Sequence, residues 1–151
     1  MKPAQYFALI AGIFFLILGI LGFLPGVVEK VNGQTLDSVG AYDNGFGYIL
    51  GVIPTNAFHS IIRLAFGISG ILASISLDST RVYSRAIAIG YGLFAVMGLF
   101  PYTNTTFGLA PIYGSDVLLH AASAAIGFYF GFIAQPGLLE LGSNNPQQNV
   151  Q

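Results

Sequence analysis

The sequence predicts an all-α fold: an integral membrane bundle of four transmembrane helices, readable as two tandem helical hairpins. Three observations carry that prediction. The 151-residue chain is 54% hydrophobic and only 7% charged, with a mean hydropathy of +0.74. Soluble domains run near a quarter charged residues, so this chain lacks the polar side chains to cover a water-facing surface. Four apolar stretches approach or reach the roughly 20 helical residues that a bilayer requires. Proline then bounds three of them, at Pro25, Pro54 and Pro101, where a helix must stop or has yet to start.

The first span is "YFALIAGIFFLILGILGFLPG", residues 6–26. Its apolar run is longer than a signal-peptide core and no A-x-A-like site follows, so it reads as a true span. The link "VVEKVNGQTLDSVGAYDNGF" is rich in Gly, Asp and Asn and reads as an exposed loop. "GYILGVIP" after it is too short to cross, and is expected to lie at the interface or dip in as a short helix. The second span, residues 57–77, has Asn56 as its N-cap; the fourth, residues 117–134, has Ser115. The third covers residues 82–100, and "PYTNTTFGLAPIYGS" follows as a turn with a brief apolar patch. Residues 1–135 thus form one membrane domain. The polar tail, residues 136–151, reads as flexible.

Basic residues in short loops set the expected orientation. Lys2, Arg81 and Arg85 lie on one side, and Lys30 with Glu29, Asp37, Asp43 and Asp116 on the other. That bias places both termini in the cytoplasm. "GFLP" at Gly22–Pro25 and "GLFP" at Gly98–Pro101 end spans one and three, and each precedes a helix that starts with a histidine. Tandem hairpins of the same orientation would give this pattern.

Composition excludes several functions. A net charge of -1 leaves no basic stripe for nucleic acid. The absence of cysteine removes disulfides, thiolate metal sites and cysteine nucleophiles. Phosphate-binding, zinc-protease, serine-hydrolase and dinucleotide motifs are absent too, so no catalytic residue is assigned.

One polar group interrupts the spans: His59, Arg63, Asp116 and His120. His59 and Arg63 are i, i+4 on one helix, as are Asp116 and His120 on another, so each pair shares a face. At about 1.5 Å per residue, His59, Arg63 and His120 lie roughly 5, 10 and 8 Å into their helices. Helical side chains tilt toward their own N-terminus, which aims Arg63 at the level of Asp116. Two readings stand: Arg63 snorkels to headgroups, or it pairs with Asp116 between the two histidines. The histidines read either as helix-packing donors or as ligands of a haem b or chlorophyll. Two histidines and one acid make a poor metal set, and no metal is assigned. The steps Gly22–Gly26, Gly127–Gly131 and Ala121–Ala125 read as close helix contacts.

"GILGFLPG", "GYILGVIPTNAFHSIIRLAFGISGI", "RVYSRAIAIGYGLFAVMGLFP" and "SDVLLHAASAAIGFYFG" together resemble a bacterial family of four-span membrane proteins, with versions like this one similar to cyanobacterial members. The family is catalogued only as a domain of unknown function. The resemblance covers roughly residues 3–135. It rests on the G-F-[IL]-P-G turn at Gly22–Gly26, N-x-x-H at Asn56–His59, "TRVYSR" at residues 80–85, and D-x-x-L-H at Asp116–His120. Many members carry H-N-x-x-H where this chain has His59 and Arg63, which replaces a ligand-friendly pair by a fixed cation. The resemblance implies a fold and a membrane, and no activity. The functional expectation is a non-enzymatic accessory or structural subunit of a larger membrane complex, in contact with lipid and with other membrane subunits. If the source is cyanobacterial, that complex is photosynthetic or respiratory, in the thylakoid or plasma membrane. The alternatives are a haem- or chlorophyll-binding protein using His59 or His120, and a small channel or transporter.

Overall fold

The computed structural model describes residues 1–30 and 46–134. The tail 136–151 and most of the polar link, with Asp37 and Asp43, lie outside the described residues. Four helices dominate: α1 (Pro3–Leu21), α2 (Ala57–Ala73), α3 (Leu77–Gly98) and α4 (Ser115–Phe128), the last continued by a π-helical turn over Tyr129–Ile133. Pro3–Leu21 and Ser115–Ile133 are each 19 residues long and apolar enough to cross a membrane; α2 is apolar but has 17 residues.

Helix boundaries follow local chemistry. Pro3 opens α1 at a position where its missing N–H costs nothing, and Gln5 folds back onto the Lys2 backbone nitrogen at 2.9 Å. Asn56 caps α2 by accepting from the His59 backbone nitrogen at 2.8 Å, as the sequence predicts. Ser76 does the same for α3 through the Ser79 backbone nitrogen at 3.1 Å. Ser115 does not cap α4. Gly114, with φ of +63°, stands at that position, and the Ser115 hydroxyl donates to the Val52 carbonyl instead. The π-helical turn that ends α4 is held by Arg85, whose Nε donates to the Gly131 carbonyl at 2.9 Å while its guanidinium lies over the Phe132 ring.

The fold is not purely α-helical. "GYILGVIP" forms neither a helix nor an interfacial coil but a β-hairpin: β2 (Gly47–Ile49) and β3 (Ile53–Thr55) pair antiparallel, and β1 (Val28–Lys30) pairs with β2 on its other edge. The reversal needs positive φ at two consecutive positions, met at Leu50 (+51°) and Gly51 (+69°). Such a mirror-image turn matches the right-handed twist of the strands it joins. Tyr48 of β2 lies beside Tyr113 in the segment before α4; burial and then the neighbouring Tyr48 hydroxyl push the Tyr113 phenol up to about 12. Thus the small sheet lies across the ends of α2 and α4.

α1 packs chiefly on α2, and α3 on α4. Glycine makes the first approach possible: a Cβ on Gly67 would lie 2.5 Å from the Leu16 backbone nitrogen, and one on Gly12 2.6 Å from that of Ile71. Gly127 and Gly131 meet α3 as expected, against Ile87 and Arg85, and Gly22 meets Ser60. Gly26 does not: among the described residues, nothing beyond its chain neighbours lies within 4 Å of a Cβ built there. Ala121 and Ala125 are exposed rather than packed. Phe15, Ile87 and Tyr91 fill the centre, with the Phe15 and Phe66 rings each 5.0 Å from Tyr91. The outward faces are apolar on every helix: Ile10 is 64% exposed, Leu72 60%, Ile89 67% and Leu118 73%.

Candidate functional site

The four polar residues singled out from the sequence meet in one buried cluster between α2 and α4. Arg63 is 1% exposed, Asp116 0%, His120 2% and His59 3%. The α2 helix carries His59 and Arg63 one turn apart on its inner face, and α4 does the same with Asp116 and His120. Arg63 Nη2 donates to Asp116 Oδ1 at 2.7 Å. The snorkelling geometry is therefore not adopted.

Two further contacts, which the sequence reading misses, hold the guanidinium's terminal nitrogens. Arg63 Nη2 also donates to the Pro54 carbonyl at 3.1 Å, and Nη1 to Thr55 Oγ1 at 3.2 Å. Thr55 Oγ1 in turn lies 3.0 Å from Ser60 Oγ. Residues 54 and 55 belong to β3, so the hairpin presents a carbonyl and a hydroxyl to a charge on the helix it precedes. A proline and a threonine just upstream of the N-cap gave the only available signal, and both types occur there for other reasons.

Asp116 Oδ2 faces the two imidazoles. It lies 3.6 Å from His59 Nε2 and 3.3 Å from His120 Nδ1. Neither approach has hydrogen-bond geometry, and among the described residues Asp116 Oδ2, His120 Nδ1, His59 Nδ1 and Arg63 Nε are buried without a hydrogen-bond partner. His120 is packed by aromatic rings: Tyr91 edge-on at 4.8 Å and Phe94 at 5.5 Å between centroids. The His59 and His120 rings are 5.9 Å apart and inclined by 31°.

This arrangement can fix two helices to one another and present one carboxylate oxygen and two imidazole nitrogens to a common point. One donor atom from each of His59, Asp116 and His120 falls within 4.8 Å of the others. The donor set that looks poor when scattered along the chain is thus assembled by the fold. It is a worse match to a haem clasped between His59 and His120, because the Asp116 carboxylate occupies the space toward which both imidazoles turn. It also differs from an open pigment site, since the His120 face is already covered by Tyr91 and Phe94.

A family profile described as a domain of unknown function (DUF4383) matches residues 5–133. The chain belongs to that family. The matched region contains all four cluster residues and every helix from α1 to the π-helical turn, apart from the first two residues of α1. No curated protein and no solved structure matches the chain.

Proposed function

We propose that the chain is a small multi-pass membrane protein without catalytic activity of its own, which packs as an accessory subunit against a larger membrane complex. The observation that carries this reading is the inversion of polarity. Large aliphatic side chains face outward on all four helices, while an Arg, an Asp and two His are sealed within. Water-exposed surfaces of monomeric proteins rarely present continuous apolar belts, which mark lipid or protein contact. The sealed cluster supports the absence of an enzymatic role: side chains 0–3% exposed offer a substrate no approach. Their chemistry instead bolts α2 to α4.

In this reading all four helices span the bilayer, α2 and α3 with their ends in the interfacial layers. Lys2, Arg81 and Arg85 place both termini in the cytoplasm, and the hairpin lies on the opposite face. For a cyanobacterial source, that complex would be a photosynthetic or respiratory assembly in the thylakoid or plasma membrane. The test is migration of an epitope-tagged chain on native gels of membranes solubilised in mild detergent. Co-migration with a large complex, retained through affinity purification, is the expected result; recovery solely as a free monomer or homo-oligomer would refute it.

A further inference from the structure

We propose that His59, Asp116 and His120 form a binding site for one divalent transition-metal ion, best matched to zinc, with Arg63 holding the ligating carboxylate in place. The first ground is spacing. Zinc takes nitrogen and carboxylate oxygen donors at about 2.0–2.2 Å, so neighbouring donors of a tetrahedral site lie about 3.3–3.6 Å apart. Asp116 Oδ2 is 3.6 Å from His59 Nε2 and 3.3 Å from His120 Nδ1; the three donors together lie within 4.8 Å of one another, so the two imidazoles draw closer as the ion enters.

The second ground is independent of spacing. Among the described residues, Asp116 Oδ2 and His120 Nδ1 are fully buried without hydrogen-bond partners, although a buried polar atom left unpaired costs roughly 1–3 kcal/mol. A hydrogen-bonded cluster would have turned these atoms onto one another. Here they converge at 3.3 Å without bonding, an arrangement that a cation held by both atoms would satisfy.

The third ground is the surroundings of the ligands. Metal-bound carboxylates are themselves hydrogen-bonded from outside, and this orients them. Asp116 Oδ1 accepts from Arg63 at 2.7 Å, leaving Oδ2 to face the histidines. Arg63 is tied in turn to Pro54 and Thr55, so the carboxylate's position is fixed from the strand. Two imidazoles and a carboxylate suit zinc or iron(II), since magnesium and calcium select oxygen donors; a tetrahedral site with a single open position favours zinc. Three protein donors leave one coordination position for water. Arg63 and Asp116 cancel in charge, so a divalent ion enters with an uncompensated charge. Zinc lowers the pKa of its bound water to about 7 and can hold hydroxide there, which offsets part of that excess. The site stands whatever complex the bundle joins.

Because the cluster is sealed, the ion must enter before α4 closes on α2. The experiment therefore loads metal during synthesis: the full-length chain is expressed in zinc-supplemented medium, purified in mild detergent without chelator, and analysed for metal by mass spectrometry. The expected result is about one zinc per chain, falling at least tenfold in His59→Gln and in His120→Gln. A second variant guards against misfolding. His120→Cys keeps a donor at that position, and expression with cobalt should give it the near-ultraviolet thiolate-to-cobalt charge-transfer band that only a direct ligand produces. Wild-type protein without stoichiometric zinc would overturn the proposal, as would zinc content unchanged by both glutamine variants or a cobalt-loaded cysteine variant without that band.

Discussion

Removing either charge of the Arg63–Asp116 pair should destabilise the bundle, but by unequal amounts, and the inequality tests the account of the cluster. Both side chains are essentially inaccessible and meet at 2.7 Å. Breaking a buried pair from one side commonly costs about 3–5 kcal/mol because the survivor is left charged and unpaired. Asp116→Leu leaves a guanidinium that cannot lose its proton. Its bonds to Pro54 and Thr55 soften the penalty toward the lower end, about 3 kcal/mol. In the metal-free protein, Arg63→Leu leaves a carboxylate, which can escape its penalty by taking up a proton. A cost of about 1–2 kcal/mol follows, in line with polar contacts between transmembrane helices. The double change removes both charges and should cost clearly less than the sum of the singles. Sodium dodecyl sulfate titration of the purified protein, followed by circular dichroism, gives the three values. Strict additivity, or Arg63→Leu proving the more damaging single change, would refute the reasoning.

Further expectations follow from the packing and the caps. Gly67→Leu should destabilise by about 1–3 kcal/mol in the same titration, since even its Cβ would sit 2.5 Å from the Leu16 backbone nitrogen; Gly26→Ala, whose Cβ would meet nothing within 4 Å among the described residues, should fall within about 0.5 kcal/mol of the parent. Asn56→Ala should cost about 1–2 kcal/mol, because it removes both the cap on the His59 nitrogen at 2.8 Å and a bond to the Leu109 carbonyl at 2.7 Å. Purified protein should show neither a Soret band nor chlorophyll absorption, and either band would reopen the pigment reading of His59 and His120. A cysteine at Val52, 61% exposed in the hairpin turn, should react with an impermeant maleimide only from the non-cytoplasmic side; labelling from the cytoplasm alone would invert the topology.

What the sequence discloses here, and what it hides, divides by the range of the interactions involved. The positions of four helices and the caps at Asn56 and Ser76 depend on residues within a turn of each other, so apolar runs and flanking residue types reveal the helices, and Asn56 its cap. The i, i+4 pairs His59–Arg63 and Asp116–His120 are local in the same sense. Their meeting across two helices could be argued because a charge in an apolar segment has few places to go, and the nearest acid at a similar depth was Asp116. Helix contacts were less legible. Every small residue looks alike in sequence, so Gly12 and Gly67 at the tight α1–α2 crossing could not be told from Ala121 and Ala125, which face outward.

The hairpin was missed for a different reason, and that miss bears on the cluster. "GYILGVIPT" contains a proline and no Asn-Gly or Asp-Gly turn, so the usual hairpin signs are weak, and its β1 partner lies across a long polar link. Proline is tolerated in β3 because, among the described residues, that strand is an edge paired with β2 alone. Edge placement also leaves the Pro54 carbonyl free to meet Arg63, and the Thr55 side chain adds its hydroxyl. The residues from 53 to 63 therefore act as one unit. A strand end supplies two acceptors, Asn56 turns the chain into α2, and two turns later the helix returns Arg63 beneath the strand it left. An arginine near the start of an apolar helix lies against the helix dipole. Acceptors from the preceding strand, with the carboxylate of α4, supply the compensation that this position requires.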